Sequence, residues 1–559
     1  MNIRTLFCAL CAVAALNADA CTNFLIGKDA SVDGSTMVSY NMDSHGMYGR
    51  LLLHKAAKHL PGELRHVVDN DRNHYMGEIA EAAETYQVIG QINEHQLSIV
   101  ESPFTGREEL INPDGIIDYV SLMTLGLQRA RTAREAIKVM TALVEQYGYA
   151  SSGETFSIVD PNEVWIMEMV GKGKGRKGAV WVAIRIPDDC IACHANHSRI
   201  HQFDRKDKKN VLYSKDVISF AREMGYFSGK DEDFSFSSAY CPPSFHQIRA
   251  CEARVWSFYN KFVDGMDRYL DYADGKHIGT SEIIPLYMKP KRKLALRDVM
   301  DGMRDHYEGT PFDMTCDAGG GAWESPYRPR PQEFDVNGKK YFWERPIATQ
   351  QSCCTMVCQM RSWLPDCVGG IIWYGNDDAH MVTYTPVYCA SQRVPVCYNA
   401  PDASDVKFSW NSAFWVCNWV SNMTYSRYSW LFPAVKKVRE ELQDKYVGNQ
   451  AEIEAKALKL CEGHHVTDAN ELLTAYGEEC ASEMLTRWRE LGEYIIVKFN
   501  DFAVKPEKDG KFELTSDGLA VPPSRDGYGD FYRQIFVRET GDKYLVPENK
   551  YSITRRSYE

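Results

Sequence analysis

The sequence predicts an α+β fold in which β-sheets are covered by helices. Strand-like runs come first, over 21–26 and 36–40, and a helical stretch follows over 118–147. Further strand-like runs come after it, and helical sequence returns from about Phe432 to Val497. Because strands and helices are grouped along the chain rather than alternating regularly, we expect sheets packed against helices.

The individual elements follow from short-range patterns. Asp33-Gly34 is a turn signal, so the first two runs are expected to form a hairpin that begins at Cys21. Thr132 with Glu135 fits a capping box, which divides the 118–147 stretch into two helices. Gly, Pro and aromatic residues over 315–345 indicate a long ordered loop of the kind that often lines a site. The other strand-like runs are 86–100, 156–168 with a turn at 160–163, 180–186, 371–375 and 381–387.

Composition and charge bound the class of protein. A chain of 559 residues with 44% hydrophobic and 25% charged residues has room for several domains or one large domain, and its composition excludes disorder and collagen. The 64 Lys and Arg residues against 76 Asp and Glu residues give a net charge of −12. Such a chain lacks the positive field that nucleic acid or an anionic membrane surface would require as its main partner.

Residues 1–20 fit a secretory signal peptide. A cation at Arg4 precedes an apolar run over 6–16, and Ala18-Asp19-Ala20 supplies an A-x-A cleavage site. We therefore expect an exported protein, in the periplasm or outside the cell. No later stretch offers about 18 uncharged apolar residues, so no integral membrane segment is expected after signal removal. Cleavage after Ala20 would make Cys21 the first residue, with a thiol and a free α-amine together.

Three interpretations of Cys21 remain open on this stretch alone. As a lipoprotein anchor it would be acylated on sulfur, although Ala18 stands where the usual lipobox has Leu and Asp19 adds a charge. As an N-terminal nucleophile its thiol would attack a carbonyl while the α-amine, with a usual pKa of about 7.7–8.0, takes up and returns the proton. In the third interpretation it is an ordinary paired or idle cysteine.

The other cysteines allow haem, metal or disulfide chemistry. The segment 190–194 (CIACH) fits the C-x-x-C-H pattern of c-type haem attachment, and it also offers zinc ligands. Disulfide pairing or buried thiols are favoured over both. Of the 17 cysteines, two fall in the predicted signal, and setting Cys21 aside leaves an even number that could pair completely.

A series of short blocks occurs in the order seen in one known family. They are Cys21-Thr22, DGST (33–36), INEH (92–95), QRARTAREA (128–136), GETF (153–156), EVWIME (163–168), HANHSRI (194–200), CEARVW (251–256), RDHYEGT (304–310), WER (343–345) and SAFW (412–415). From about Cys21 to Lys498 the chain resembles the N-terminal-nucleophile cysteine dipeptidases. This family includes bacterial dipeptidases and the secernins, with choloylglycine hydrolases and penicillin V acylases as distant kin.

The resemblance implies a fold and an activity. The fold is the four-layer αββα sandwich of N-terminal-nucleophile hydrolases with a helical C-terminal extension. The activity is hydrolysis of the amide bond of dipeptides or other short peptides, with no cofactor and no metal, and the oligomeric state stays open. The chain then divides into a signal peptide (1–20), a hydrolase domain (21–400), a mainly helical continuation (401–498) and a C-terminal extension (499–559) that could add a strand-rich lobe.

The resemblance also assigns site residues. Cys21 falls on the nucleophile, and its own α-amine is the proton shuttle. Asp43 falls on the aspartate that orients the amine and the thiol. Asn196 falls on the asparagine that holds the terminal amine or the oxyanion, and Arg254 corresponds to an arginine found late in the acylases. The segment 101–104 aligns with the second contributor to the oxyanion site.

One position departs from the pattern, and rival functions stay open. Tyr40 stands where the acylases carry Arg, which removes one cation that could stabilise a thiolate or bind a carboxylate. Charged residues over 304–345 are candidate anchors for the two charged ends of a dipeptide, and His306 and Glu308 are read as structural or substrate-shaping. The rivals are a non-peptide amidase of the acylase type and a non-catalytic secreted or lipid-anchored binding protein.

Overall fold

The computed structural model describes residues 20–69 and 73–547. The predicted signal peptide therefore lies outside the described residues, except for Ala20. Antiparallel sheets and helices are both extensive in the described ranges, which confirms a mixed helix and sheet fold with a helical C-terminal region. None of the helices in these ranges combines the length and the apolar character needed to cross a membrane.

Two large antiparallel sheets form the centre of the fold. The seven strands of the first sheet, in spatial order, are β16 (Tyr287–Met288), β14 (Ile191–His194), β1 (Ala20–Ile26), β2 (Thr36–Asp43), β19 (Ser352–Met360), β20 (Ile371–Asn376) and β21 (Thr385–Tyr388). The eight strands of the second sheet are β15 (Val211–Tyr213), β13 (Ala179–Ile186), β12 (Val164–Gly171), β11 (Gly153–Val159), β10 (Ser98–Phe104), β9 (Ile92–Asn93), β8 (Val88–Ile89) and β3 (Leu53–His54).

Small hairpins and a set of helices complete the described fold. The two-stranded pairs are β4 (Ala57–Lys58) with β7 (Glu84–Thr85), β5 (Leu64–Asp69) with β6 (His74–Ala80), β17 (Glu333–Val336) with β18 (Lys339–Phe342), and β22 (Glu507–Lys508) with β23 (Lys511–Phe512). The helices are α1 (Tyr119–Arg129), α2 (Ala133–Tyr147), α3 (Val217–Glu223), α4 (Phe236–Tyr240), α5 (Phe245–Gln247), α6 (Ala253–Phe262), α7 (Leu270–Ala273), α8 (Leu296–Gly302), α9 (Asp366–Gly369), α10 (Ala413–Ser426), α11 (Tyr428–Glu462), α12 (Val466–Lys498) and α13 (Asp530–Thr540).

The two sheets face each other, and helices pack against both of them. Contacts of β10 with β1 and β2, and of β11 with β2, join the sheets. Helices α1 and α2 pack on the second sheet, whereas α6, α8 and α10 to α12 pack against the first sheet. Because both faces of each sheet are covered, strands such as β11, β12 and β19 are buried at every residue.

Strands β10 and β12 each serve two cores. Trp165 on β12 belongs to the core shared with α1 and α2, whereas the next residue, Ile166, belongs to the larger core that also holds residues of the first sheet. Ile99 and Val100 divide in the same way on β10. Successive side chains of a strand point to opposite faces, so one strand contributes to both cores.

The early predicted elements are confirmed, with small differences at their ends. The predicted hairpin is β1 paired with β2, and the 118–147 stretch is α1 followed by α2. Thr132 caps α2, since its Oγ1 accepts the Glu135 N–H at 3.3 Å. The reciprocal bond of a capping box is displaced by one residue, because the Glu135 carboxylate accepts the Arg131 N–H at 2.8 Å.

Later predictions need correction. The strand expected over 381–387 is shorter, because β21 covers only Thr385–Tyr388. The expected loop over 315–345 contains the β17–β18 hairpin. The C-terminal extension is not strand-rich, since its described part holds two strands of two residues each and the 11-residue helix α13. Nothing in the structure tests the division of the chain at 400 and 498, which stays a prediction.

The helical C-terminal region offers a matched pair of glycine substitutions. A Cβ added to Gly477 on α12 would lie 2.8 Å from the Pro386 carbonyl oxygen on β21, whereas one added to Gly448 on α11 meets open space. We expect Gly477→Ala to lower the free energy of unfolding by about 1–3 kcal/mol, because the strand backbone must shift. Gly448→Ala should raise it by about 0.5–1 kcal/mol through helix propensity. Thermal unfolding followed by circular dichroism measures both, and equal shifts would contradict close packing of α12 on β21.

Candidate active site

Cys21 lies at the start of β1, enclosed between the two sheets. It pairs with Met42 on β2, and the preceding Ala20 pairs with Asp43. The Cys21 side chain is 1% exposed and faces the second sheet. Because side chains alternate along a strand, the next residue, Thr22, faces the outer helices. The hairpin therefore fixes which groups can reach the thiol.

Two side chains contact the Cys21 sulfur. The Tyr40 hydroxyl on β2 lies 3.6 Å from Sγ, and Glu101 Oε1 on β10 lies 3.5 Å from it. The Tyr40 hydroxyl also donates a short hydrogen bond to the same Glu101 oxygen. All three side chains are buried. The contact between Cys21 and Glu101 therefore places a thiol of the first sheet against a carboxyl group of the second sheet in the protein interior.

The surroundings of Cys21 disfavour its thiolate. Burial raises the pKa of the Cys21 thiol well above its usual value, and the nearby carboxylates of Glu101 and Asp43 raise it further. The hydrogen bond between the thiol and the Tyr40 hydroxyl, and a hydrogen bond from the Asp43 backbone, lower this pKa in part. A proton acceptor or a positive charge beside the thiol is therefore needed for thiolate attack.

The backbone of Cys21 is held by an asparagine and an arginine. The Cys21 N–H donates to Asn196 Oδ1 at 3.1 Å. One Arg254 nitrogen on α6 donates to the Cys21 carbonyl oxygen at 2.9 Å and to Thr22 Oγ1 at 2.8 Å, and the other donates to Asn196 Oδ1 at 2.9 Å. Arg254 is buried, so it anchors the start of β1 from the helical side.

Asn196 follows β14 and links the two sheets. Its backbone N–H donates to Ser102 Oγ at 2.6 Å, and its Nδ2 donates to the Pro103 carbonyl at 2.9 Å. The residue has φ of 52°, a left-handed conformation that Asn tolerates better than most residues. Since Nδ2 is engaged with Pro103 and Oδ1 accepts from Cys21, the contacts favour holding the Cys21 nitrogen over binding an oxyanion.

Asp43 is buried on the opposite face of β2 from Tyr40. Arg345 donates a short bond to its Oδ2, and the Ser352 hydroxyl donates to its Oδ1. Asp43 is 0% exposed, so its negative charge is balanced inside the protein by Arg345. Its backbone, rather than its carboxylate, makes the direct approach to the Cys21 sulfur.

A cationic cleft adjoins this ion pair. Its lining includes Arg328, Arg330 and Arg345 together with Glu344. Burial and the neighbouring Arg345 guanidinium lower the pKa of Arg330 to about 9. Two of these arginines already have carboxylate partners, Asp317 for Arg328 and Asp43 for Arg345.

The residues assigned from the resemblance come together in the structure. Cys21, Asn196 and Arg254 contact one another directly, and Asp43 is the neighbour of Ala20 across the hairpin. The segment 101–104 is also at the site, since it supplies Glu101 to the thiol and two residues to Asn196. No described contact tests the chemical role of any of them.

Three contacts were not anticipated from the sequence. Glu101 was grouped with its neighbours as an oxyanion contributor, yet a carboxylate beside the thiol accepts hydrogen bonds rather than donating them. The sequence assigns no role to Arg345, although its block matches the family, and no pattern indicates Ser352. Both side chains bind the Asp43 carboxylate. The strict alternation along β2 could have placed Asp43 on the helical face, where a buried cation was required.

His306 and Glu308 belong to a different cluster. With His380 they form a group whose potential metal-ligating atoms all lie within 4.8 Å of one another, the only such group among the described residues. Both His380 nitrogens already have partners, the Arg304 carbonyl at 2.9 Å and the Tyr428 hydroxyl at 2.7 Å. The 190–194 segment is not in such a group. Its Cys193 and His194 are buried on β14, where His194 Nε2 lies 2.7 Å from Ser157 Oγ.

The cysteines are mostly buried thiols. All cysteines in the described ranges are free, so complete pairing of the even set is not seen. One pair is close, with the Cys367 and Cys461 sulfurs 3.4 Å apart. Of the two alternatives, disulfide pairing or buried thiols, the structure therefore favours buried thiols, which pack as small apolar side chains.

Comparison with known proteins gives independent evidence for the family of this chain. The profile of peptidase family C69 matches residues 20–441, starting immediately before Cys21. A probable dipeptidase of Salmonella dublin is 25% identical over 390 residues, covering 66% of this chain and 81% of that protein. A probable dipeptidase of Latilactobacillus sakei is 26% identical over 512 residues, with coverages of 86% and 97%. Dipeptidase A of Lactobacillus helveticus is 23% identical over 509 residues, with coverages of 85% and 93%.

The buried Asp43–Arg345 pair can be tested against an exposed one. Arg345→Met should lower the free energy of unfolding by about 3–5 kcal/mol, because it leaves a buried carboxylate without its cation. Arg393→Met breaks exposed ion pairs with Glu471 and Glu478, so its effect on the free energy of unfolding should be much smaller. Urea unfolding of both variants gives the comparison. A small effect in both would contradict the balancing role of Arg345.

Proposed function

The chain belongs to peptidase family C69 and is a hydrolase of peptide bonds, and from this premise we propose that it is an exported dipeptidase with Cys21 as its nucleophile. The observation that carries the proposal is the set of contacts around Cys21. Its nitrogen and carbonyl oxygen are held by Asn196 and Arg254, and its buried sulfur meets Tyr40 and Glu101.

The proposed mechanism needs the Cys21 nitrogen as a free amine. In the described chain this nitrogen is still joined to Ala20, which pairs with Asp43 as the first residue of β1. Cleavage after Ala20 by a signal peptidase would release the amine beside Asn196 Oδ1, where the amide N–H now donates. Export and activation would then be one event.

The reaction is acyl transfer in two steps. The α-amine takes the Cys21 thiol proton as Sγ bonds to the scissile carbonyl carbon, and the tetrahedral intermediate places a negative charge on oxygen. Its collapse breaks the carbon–nitrogen bond, and the amine passes its proton to the leaving amino acid. Water then attacks the thioester with the amine as base, which releases the second product and restores the thiol.

The arrangement of layers supports an N-terminal-nucleophile hydrolase. Helices α1 and α2, the second sheet, the first sheet and the helices on its far side follow one another, as the αββα sandwich requires. Cys21 stands at the start of a strand in one of the two inner layers. This position suits a nucleophile whose amine and thiol must act together.

The names of the similar proteins favour a dipeptide over a non-peptide amide as the substrate. The three similar proteins named above are each called a dipeptidase or probable dipeptidase. Within 304–345, Arg330 lies near Arg345 and Asp43, and it is a candidate for binding the carboxylate end of a short peptide. We therefore retain the prediction that charged residues within 304–345 bind the carboxylate end of the substrate.

Cys21→Ser tests the nucleophile. We expect hydrolysis of a dipeptide panel to fall by about 10³-fold or more, because a buried hydroxyl is a far weaker nucleophile than the thiol. Cys316→Ser is the matched control, since Cys316 is an exposed thiol away from these contacts. Circular dichroism of both variants verifies folding. Retained turnover in Cys21→Ser would refute the assignment.

Intact-mass and N-terminal analysis of the exported protein tests activation. The expected product begins with an unmodified Cys21. The variant Ala20→Asp should block processing, because the cleavage site requires a small residue, and the unprocessed chain should be inactive. An acyl group on Cys21 would instead support a lipid anchor, and an active chain that retains Ala20 would exclude the amine mechanism.

A further inference from the structure

A buried histidine outside the contacts of Cys21 makes no side-chain hydrogen bond. His306 lies in the loop that follows α8, and its side chain is 0% exposed. Neither of its ring nitrogens has a hydrogen-bond partner in the part of the chain that the structure describes, although Glu308 Oε1 lies 3.5 Å from Nδ1. Since polar groups in protein interiors are nearly always satisfied, this imidazole calls for a bound water or ion.

A second histidine beside it is already oriented as a ligand. His380 lies in the turn between β20 and β21, with its ring centroid 4.4 Å from that of His306. Its Nδ1 lies 2.9 Å from the Arg304 carbonyl oxygen, which can only accept, so Nδ1 carries the proton. Nε2 then offers a lone pair, which accepts from the Tyr428 hydroxyl at 2.7 Å. Histidines that bind metals are commonly held in this way by a backbone carbonyl on the other nitrogen.

Glu308 adds an anionic oxygen and a route from solvent. Its side chain is 46% exposed, and its Oε2 accepts the His306 backbone N–H at 3.0 Å. The potential ligand atoms of Glu308, His306 and His380 all lie within 4.8 Å of one another. Ligand atoms held about 2.0–2.1 Å from a tetrahedral zinc ion stand about 3.3–3.5 Å apart. The 3.5 Å between His306 and Glu308 already matches, so small side-chain rotations would close the group around an ion.

The arginines near this group are engaged elsewhere. Arg304 and Arg439 donate to the backbone carbonyls of Ala379 and His380, in the same turn. Each is also paired with a carboxylate, Asp301 for Arg304 and Glu440 for Arg439. The negative charge of Glu308 therefore faces the two imidazoles without an arginine between them, which suits a cation.

We propose that His306, Glu308 and His380 form a binding site for a divalent transition-metal ion of the Zn²⁺ type, with water in the remaining position. Two imidazole nitrogens and one carboxylate oxygen suit Zn²⁺, whereas Mg²⁺ and Ca²⁺ prefer oxygen ligands alone. On binding, His380 Nε2 exchanges the Tyr428 hydroxyl for the ion. The inference goes beyond the proposed hydrolysis, because the site does not include Cys21 and no step of the reaction passes through it.

The ion would join parts of the chain that meet only in the fold. Two ligands come from the loop after α8, and His380 comes from the turn between β20 and β21. Tyr307 in the same loop donates to the Arg345 carbonyl oxygen at 2.6 Å, and Arg345 balances the buried Asp43. A metal ion at this site therefore stabilises the folded chain and the loop that supports Arg345, because it binds the native state alone.

Zinc binding to the mature enzyme, first freed of metal with EDTA, tests the inference. We expect a single Zn²⁺ per chain by isothermal titration calorimetry, a higher midpoint of thermal unfolding with Zn²⁺, and no such shift with Mg²⁺. X-ray absorption of the zinc-loaded protein should show nitrogen and oxygen ligands. Absence of zinc binding, or sulfur ligands in place of imidazole, would overturn the inference. Hydrolysis is not the readout, so the result is independent of the proposed dipeptidase function.

The variant Glu308→Gln ties the ion to this group. It keeps an oxygen for the His306 N–H and changes a side chain that is partly exposed. Because loss of an outer-shell partner alone costs about 10- to 100-fold in metal affinity, loss of a ligand should weaken zinc binding by about 100-fold or more. His306→Gln should have the same effect, and circular dichroism verifies folding of both variants.

His465→Gln is the matched control. His465 is an exposed histidine whose Nδ1 lies 3.6 Å from the Asp468 carboxylate, so it resembles the His306–Glu308 pair without a third ligand group. We expect its zinc affinity to equal that of the unchanged enzyme. Unchanged zinc affinity in folded Glu308→Gln, or a loss in His465→Gln as large as in Glu308→Gln, would refute the assignment.

Discussion

The pairing of β1 with β2 is the interaction on which the rest of the site depends. It sets Cys21 opposite Met42, and with that register the thiol faces the second sheet while Thr22 faces α6. A slip of one residue would exchange the two faces, since side chains alternate with a period of two. The thiol would then meet Arg254, and Glu101 would face a threonine.

Burial makes the surrounding charges interdependent. Asp43 is tolerable inside the protein because Arg345 and Ser352 bind its carboxylate. Arg254 is tolerable because it donates to the Cys21 carbonyl, Thr22 and Asn196 at once. Each group therefore both stabilises the start of β1 and limits where its neighbours can lie. Hydrogen bonds from Arg254 on α6 and to Asn196 just after β14 hold the backbone of Cys21 in one place.

The sequence predicted those parts of the molecule that depend on local patterns. Hairpin signals located β1 and β2, and a capping threonine separated α1 from α2, because turn and cap chemistry act over a few residues. The order of blocks identified Cys21, Asp43, Asn196 and Arg254. No local pattern could predict the hydrogen bond between Tyr40 and Glu101, which are 61 residues apart in the sequence. The same is true of the ion pair between Asp43 and Arg345, which are 302 residues apart. Those contacts depend on how the two sheets and their flanking loops pack.

The substitution of Tyr40 for the arginine of the acylase kin gains a meaning from that packing. An arginine at this position would stand beside Glu101 and compensate its negative charge permanently. Tyrosine supplies a hydrogen bond to the same oxygen but no charge. The position that looked from sequence alone like a lost means of activating the thiol thus places a neutral hydroxyl between the thiol and a buried carboxylate.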